Sequence, residues 1–256
     1  MSRPPRKMSL TGLYHIIFRG INRQNIFEES EDYKKMIDII DMVKKSKTFE
    51  IYAYCLMTNH VHLFIKEKEC GDIKKIMHSI LTRYVQWFNY KYQRSGALIG
   101  NRYKSEPIED EKYYFSLIRY IHKNPEKAGL VEKLKDYQWS SYSEYIQEKR
   151  KGITDICFLL EMFCEERKKA VKEFISFHEA EDEDCFSLPE RKRLTDEQAK
   201  NRIKMILKNV DISGLLTMKK EERNRYISMI KEETEISIRQ LERLTGISRG
   251  IISRIK

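Results

Sequence analysis

The order of strand-like and helical segments in the first 125 residues constrains the fold more than any other feature of this chain. A β-rich run at 13–18 precedes a segment at 30–47 whose apolar residues recur every three or four positions, as in an amphipathic helix. Two more strand-like runs follow, Glu50–Met57 and His60–Lys66. Only two residues separate them, so they predict a β-hairpin.

The segments after the hairpin complete a known pattern. A long amphipathic helix is predicted from Asp72, the short basic segment 101–108 is a candidate fourth strand, and a helix is predicted between Asp110 and Pro125. The order βαββαβ predicts an α+β fold, a ferredoxin-like antiparallel sheet with its helices on one face. The last helix is an addition to this pattern and is free to carry chemistry.

Changes in composition predict three regions along the chain. Residues 1–146 are expected to form the first and largest domain, 147–231 a helical linker region with one helix at 154–178, and 232–256 a small helix-turn-helix-like unit. The region after residue 146 is therefore predicted to be α-helical throughout.

The last 25 residues suggest two short helices joined by a turn. Ser237 and Ser248 are expected to cap the two helices, and Gly246 to form the turn between them. Arg249 and Arg254 lie on either side of the apolar stripe of the second helix, where they are candidates for contacting DNA. An ordinary helical hairpin is the alternative interpretation.

Charge and composition narrow the class of partner. The chain of 256 residues has 49 Lys and Arg against 39 Asp and Glu, a net charge of +10, which favours nucleic acid over a membrane. No apolar run is long enough to span a bilayer. Five scattered cysteines without a CxxC pair argue against a disulfide scaffold or zinc ribbon and suit a reducing cytoplasm. No GxxxxGK[ST] motif is present, so we expect no nucleotide cofactor.

The motif Asn59-His60-Val61-His62 is the sharpest local signal for chemistry. Residues i and i+2 of a strand point to the same face, so His60 and His62 could share a metal ion. We expect the hairpin turn to expose both rings. An isolated HxH pair is a weak signal, and a pair of surface or stacking histidines is the alternative.

The added helix offers further donors. Tyr120 and Asn124 are four residues apart and therefore lie on one face of a helix. The amide oxygen of Asn124 suits a hard cation such as Mg²⁺ or Mn²⁺, and Tyr120 could present its oxygen to a group that the metal polarises. Pro125 is expected to end or restart the helix at Asn124.

Three segments together carry a family resemblance: YCLMTNHVHLFI, GALIGNRYKSEPI and RYIHKNPEKAGLV. Over roughly residues 8–146 the chain resembles the HUH single-strand DNA transposases, and most of all the bacterial REP-associated tyrosine transposases. The resemblance implies nicking and rejoining of single-stranded or hairpin DNA with Mg²⁺ or Mn²⁺, through a 5′-phosphotyrosine. It also implies Tyr120 as the nucleophile and His60, His62 and Asn124 as metal ligands.

Other tyrosines on the same helix compete for the role of nucleophile. Tyr113 is eleven residues before Asn124, about 16 Å along the helix, which is too far to share a metal-bound phosphate. Tyr114 points to a different face. Tyr120 is therefore preferred, and a core or hydrogen-bonding tyrosine is its alternative role.

Basic residues near the three segments are candidates for DNA contact, with solvated surface charges as the alternative. The candidates are Arg19, Asn22, Arg23, Arg83, Arg102 and Lys104. Trp87 and Phe88 are expected in the core rather than stacked on bases. His15 and His78 are expected to be structural, and His122 to face away from Tyr120.

Three functions agree with these features. The first is a metal-dependent transposase; the second is a domesticated, catalytically silent protein that binds DNA hairpins or regulates transcription. The third, another HUH nuclease such as a replication initiator or relaxase, is disfavoured by the short chain and the single convincing tyrosine. We expect a bacterial cytoplasmic, nucleoid-associated protein, and both a monomer and a homodimer remain open.

Overall fold

The computed structural model describes residues 6–100, 102–110, 112–147, 152–180, 196–208, 211–234, 236 and 238–255. The chain divides into two compact units, residues 1–186 and 187–256. The predicted domain limits, after residues 146 and 231, lie inside these two units.

A four-stranded antiparallel sheet forms the centre of the first unit. The strands lie in the order β2-β3-β1-β4, which is the order of a ferredoxin-like sheet, so the predicted fold class is confirmed. Their bounds are Leu13–Arg19 for β1, Glu50–Met57 for β2, His60–Lys66 for β3 and Lys104–Pro107 for β4.

Two helices cover one face of this sheet. They are α1, Ser30–Lys47, and α2, Asp72–Lys91. Alternate strand residues such as Ile16, Val61 and Leu63 point to this face and pack with the apolar stripes of both helices. The core of the first unit therefore lies on this side, as the period-two and period-3.6 patterns predict.

The added helix α3, Lys112–Lys127, packs on the opposite face. The ring of Tyr114 lies 5.8 Å from that of Phe64 on β3. The prediction that Pro125 ends the helix at Asn124 is wrong, because the helix continues to Lys127. Proline removes only its own N–H donor, and bonds from Ala128 N–H to the Asn124 carbonyl and from Leu130 N–H to the Pro125 carbonyl close the next turn.

Three more helices follow in the first unit: α4, Tyr142–Ile146, α5, Ile156–Glu161, and α6, Arg167–Glu179. The single helix predicted at 154–178 is therefore wrong. The helical chain breaks after Glu161, where Phe163 turns inward and packs edge-on against Phe115 at 4.9 Å. Before α4, the segment 139–141 bonds to the outer edge of β2 through the N–H groups of Leu56 and Ser141.

The second unit contains four helices within its described residues and one 3-10 segment, Ile212–Leu216. The helices are α7, Asp196–Leu207, α8, Lys220–Glu233, α9, Ile238–Thr245, and α10, Arg249–Arg254. Ile203, Ile227, Leu241 and Ile252 share one apolar core. The helices α7 and α8, which the sequence placed in a linker, thus pack with α9 and α10.

The turn between α9 and α10 forms where the sequence predicts it. Gly246 has φ of +74°, in the left-handed region that favours glycine. Ser248 occupies the N-cap position of α10 without a side-chain capping bond, and Ser237 lies outside the described residues. No helix in the described ranges is long and apolar enough to cross a membrane.

Candidate active site

One face of the sheet carries the two histidines predicted as metal ligands, His60 and His62. Arg19 on β1 lies opposite His60 on β3, and Ile17 lies opposite His62. Lys104 on β4 lies opposite Ile17 from the other side. Directly opposed residues of antiparallel strands point to the same face, so this set faces α3 rather than the core helices α1 and α2.

His62 lies deeper than the sequence suggested. The hairpin turn was expected to expose both rings, but His62 is only 2% exposed. Its Nδ1 lies 3.0 Å from Nε2 of His15, and its ring centroid lies 5.5 Å from that of Tyr120. The expectation fails for His62 because β3 is an inner strand and α3 covers it. His60, at the end of the strand, is half-buried.

Burial fixes the protonation state of these rings. Burial lowers the pKa of His62 well below its usual value, and the neighbouring His15, His60 and Arg19 add to this effect. Burial also lowers the pKa of His15 to about 3. Both imidazoles are therefore neutral at neutral pH, which is the form in which histidine binds a metal.

Asn59 connects the turn between β2 and β3 to its surroundings. Its Oδ1 lies 2.7 Å from Nδ1 of His60, and its Nδ2 donates to the carbonyl of Arg23 at 3.3 Å. The bond to His60 leaves Nε2 as the nitrogen of that ring that a metal ion could take. The sequence assigns Asn59 no role of its own, although its place directly before His60 is a usable signal.

Asn124 and Tyr120 are neighbours on one face of α3, as their spacing predicts. The Nδ2 of Asn124 donates to the backbone carbonyl of Tyr120 at 2.7 Å. This bond uses the amide nitrogen and leaves Oδ1 as the donor atom for a metal. Both side chains are half-buried.

The metal ligands that the sequence implies are two imidazoles and one amide oxygen. In the described part of the chain, no three His, Cys, Asp or Glu side chains are grouped to hold a metal ion. A site at His60 and His62 thus needs a different third donor, and the amide oxygen of Asn124 is of a suitable type. Two imidazole ligands suit Mn²⁺ better than Mg²⁺, which prefers oxygen ligands.

The loop after β1 is fastened to the turn that precedes His60. The N–H of Gly20 donates to the Asn59 carbonyl at 2.9 Å, and that of Ile26 donates to the Thr58 carbonyl at 2.9 Å. Asn22 and Arg23 lie in this loop and are exposed. The structure therefore brings these two DNA-contact candidates to the same end of the sheet as His60.

The remaining candidates for DNA contact lie elsewhere in the structure than the loop after β1. Arg102 and Lys104 are exposed, at and just before β4. Arg83 is exposed on α2, which packs on the opposite face of the sheet from the histidines, so it is not part of this cluster. Arg249 and Arg254 belong to the second unit, where Nε of Arg249 pairs with Glu242 at 3.0 Å.

Lys127 is a neighbour of Tyr120 that the sequence analysis missed. Its Nζ lies 5.8 Å from the centre of the Tyr120 ring. Seven residues are two helical turns, so the spacing of these two residues was a signal for a shared face. The arrangement places a cation beside the candidate nucleophile.

Comparisons with known proteins show which proteins this chain is similar to. A family profile described as "Transposase IS200 like" matches residues 9–124. The matched segment includes both histidines of the HxH motif, Tyr120 and Asn124. Residues 9–124 are thus similar to the IS200-like transposases, and the resemblance seen in the sequence is confirmed.

One curated relative and one solved structure extend the comparison. The chain is 31% identical over 105 residues to the "Putative REP-associated tyrosine transposase" of Haemophilus influenzae, over 37% of this chain. The chain spans 59% of that relative's length. A REP-associated tyrosine transposase solved bound to a REP hairpin is similar at 22% identity and a TM-score of 0.49, over 57% of this chain and 86% of the other.

Proposed function

We propose that this protein is a metal-dependent transposase that nicks and rejoins single-stranded or hairpin DNA through a 5′-phosphotyrosine. One observation carries the proposal. The ring centroid of Tyr120 lies 5.5 Å from that of His62, on the face of the sheet that also carries His60. A protein that only binds DNA has no physical need for a tyrosine beside two histidines on one face of the sheet. A catalytically silent hairpin-binding protein is the alternative.

The residues that would hold the divalent ion are His60, His62 and Asn124. When bound, Mg²⁺ or Mn²⁺ supplies Lewis-acid polarisation of the scissile phosphate. Asn59 orients the ring of His60 through the bond to its Nδ1. Asn124 donates its Nδ2 to the backbone carbonyl of Tyr120, and this bond orients the amide that carries the third donor.

Tyr120 supplies the nucleophile. Its phenolic oxygen gives up its proton and forms a bond to phosphorus while the bond from phosphorus to the 3′ oxygen breaks. The leaving 3′ oxygen takes up a proton, so no net proton is consumed. The products are a 5′-phosphotyrosine and a free 3′-hydroxyl. The ester keeps the energy of the cleaved linkage, so a 3′-hydroxyl on another DNA end can reverse the step without ATP.

DNA binding rests on the basic and polar side chains around this face. Arg19 lies opposite His60, and Lys104 extends the same face to the edge strand β4. Asn22 and Arg23 lie beside the turn before His60, and Arg102 is exposed just before β4. Cations neutralise phosphates in a salt-dependent and largely sequence-independent manner.

The deciding experiment compares two tyrosines on the same helix. Tyr120→Phe and Tyr113→Phe each remove one hydroxyl, and Tyr113 is exposed and serves as the matched control. Each variant is incubated with a labelled hairpin oligonucleotide and Mn²⁺, and the covalent adduct is measured on a denaturing gel beside a mobility shift at fixed salt.

We expect Tyr120→Phe to lose the adduct and keep the mobility shift, and Tyr113→Phe to keep both. An adduct in Tyr120→Phe assigns the nucleophile to another tyrosine. A normal mobility shift without any adduct in the unmodified protein favours the catalytically silent alternative.

For the second unit we propose duplex DNA binding through the helix-turn-helix formed by α9 and α10. On α10 only Ile252 faces the core, while Arg249, Ser253 and Arg254 are exposed. Arg254→Ala is expected to weaken duplex binding without changing cleavage of a short single-stranded substrate. Lys220→Ala, an exposed cation on α8, is the control. Unchanged duplex binding in Arg254→Ala would favour the ordinary helical hairpin.

A further inference from the structure

His15 is a buried histidine to which the proposed reaction assigns no role. It lies on β1 and is only 1% exposed. Its Nε2 lies 3.0 Å from Nδ1 of His62, and the two rings stack with centroids 5.3 Å apart. Its ring also meets the ring of Tyr120 edge-on at 6.0 Å. One side chain thus contacts both a proposed metal ligand and the proposed nucleophile.

The sheet register brings His15 and His62 together. His62 pairs with Ile17, and His15 lies two residues before Ile17 on the same face of β1. The two histidines are therefore diagonal neighbours across the central pair of strands. Ladder hydrogen bonds on both sides of β1 fix this relation, so it does not depend on a loop.

The bond between the two rings decides which nitrogen of His62 can bind a metal. A neutral imidazole has one N–H donor and one acceptor nitrogen. If His15 donates, the proton of His62 lies on Nε2 and blocks that atom. If His62 donates from Nδ1, its Nε2 keeps the lone pair that a metal needs. The direction of the hydrogen bond between His15 and His62 therefore decides whether Nε2 of His62 can bind a metal ion.

We propose that His15 is a positioning residue that accepts the Nδ1–H of His62 and keeps Nε2 of His62 unprotonated for the divalent ion. This inference rests on the proposed function. Metal-binding histidines usually donate their second N–H to a carboxylate, a backbone carbonyl or a water. Here a second imidazole takes that place, and its ring also packs against the nucleophile.

The first test measures the tautomer directly in the metal-free full chain. Nitrogen-15 NMR of labelled histidines distinguishes the protonated from the unprotonated ring nitrogen without any reaction. We expect His62 to be protonated at Nδ1 in the unmodified protein and in His15→Gln, whose amide oxygen can accept the same bond. His15→Leu, of similar size but without an acceptor, is expected to give a mixture. Protonation of His62 at Nε2 in the unmodified protein overturns the proposal.

The second test measures Mn²⁺ binding by calorimetry on the DNA-free protein. His15→Leu is expected to weaken binding about 10- to 100-fold, the usual effect of losing such an outer partner. His15→Gln should bind nearly as tightly as the unmodified protein. His78→Leu, on an exposed position of α2, is the control and should change nothing.

The outcomes separate this inference from the proposed function. If the unmodified protein and His60→Ala both fail to bind Mn²⁺, the metal site itself is wrong, and the tautomer measurement alone decides the role of His15. If a folded His15→Leu binds Mn²⁺ as tightly as the unmodified protein, the role of His15 is wrong while the metal site stands. If His15→Leu fails to fold, His15→Gln and the tautomer of the unmodified protein give the answer.

Discussion

Nδ1 of His122 lies 2.9 Å from Nε2 of His178, and this contact joins the helix that carries Tyr120 to α6. On its other side, Nε2 of His122 lies 2.7 Å from the hydroxyl of Ser141, which also accepts the N–H of Tyr54 on β2. His122 faces away from Tyr120, as the sequence predicts. The helix is thus fixed to the sheet and to α6 by one buried chain of hydrogen bonds.

A buried histidine of this hydrogen-bond network, His178, should lower the free energy of unfolding at acidic pH. Burial, with Arg119 and Lys123 nearby, lowers the pKa of His178 to about 3. Below pH 6.5 the unfolded chain binds a proton at His178 that the folded chain does not bind. The contribution of His178 to the free energy of unfolding is therefore complete only above pH 6.5. It decreases as the pH falls from 6.5 towards 3, by about 1.4 kcal/mol per unit.

His178→Gln removes this titrating group and keeps an acceptor for His122. We expect the free energy of unfolding, measured by urea denaturation between pH 4 and 6.5, to depend less steeply on pH in the variant. The difference should approach 1.4 kcal/mol per pH unit. His78→Gln, which is exposed, should leave the slope unchanged. An equal slope in His178→Gln and the unmodified protein contradicts the prediction.

The two histidines of the HxH motif should differ in their effect on stability. His60→Ala and His62→Ala are both expected to abolish cleavage. His60 is half-buried, so its loss should leave the melting temperature nearly unchanged. His62 is buried and bonded to His15, so its removal should cost about 1–3 kcal/mol. Nicking with Mn²⁺ beside a thermal melt measures both effects, and full activity in either variant would contradict the metal site.

Asn59 should link the proposed metal site to the loop that carries Arg23. Asn59→Ala removes the acceptor beside Nδ1 of His60 and the donor to the Arg23 carbonyl. We expect about tenfold weaker Mn²⁺ binding and weaker hairpin binding. Asn59→Asp keeps the oxygen beside His60, so it should retain Mn²⁺ binding while hairpin binding falls. Equal Mn²⁺ affinity in Asn59→Ala and Asn59→Asp would show that this oxygen does not orient His60.

Lys127 should contribute at the nucleophile. Its ammonium lies 5.8 Å from the Tyr120 ring, where a cation favours a developing phenolate and attracts the phosphate. Lys127→Met is expected to slow adduct formation and to reduce the salt dependence of hairpin binding by about one phosphate contact. Lys34→Met, an exposed cation on α1, is the control for net charge. The prediction is wrong if both variants form adduct at the same rate.

Local patterns were sufficient for the strands, the hairpin and the spacing of Tyr120 and Asn124, because each depends on residues close in sequence. The burial of His62 could not be predicted in this way. It follows from the docking of α3 and from a partner, His15, that is 47 residues away. The break between α5 and α6 likewise depends on the distant aromatic contact between Phe163 and Phe115.

In the second unit, too, contacts between residues distant in sequence could not be predicted from local patterns. Local composition indicated a linker for the segment that contains α7 and α8. Their apolar stripes pack against each other and against α9 and α10, so that Ile203 and Ile252 share one core. A charged segment that looks solvated in sequence can therefore be one side of a small domain.

The close packing around Gly20 restricts how the loop after β1 could be exchanged. A Cβ at Gly20 would lie 2.1 Å from the Gln24 carbonyl oxygen, and one at Gly100 would lie 2.8 Å from Cα of Ile21. The loop that carries Arg23 is therefore clamped between the turn at Asn59 and the segment before β4. Exchanging this loop alone would also disturb His60. The loop after β1, the turn at Asn59 and the segment before β4 must therefore be exchanged together.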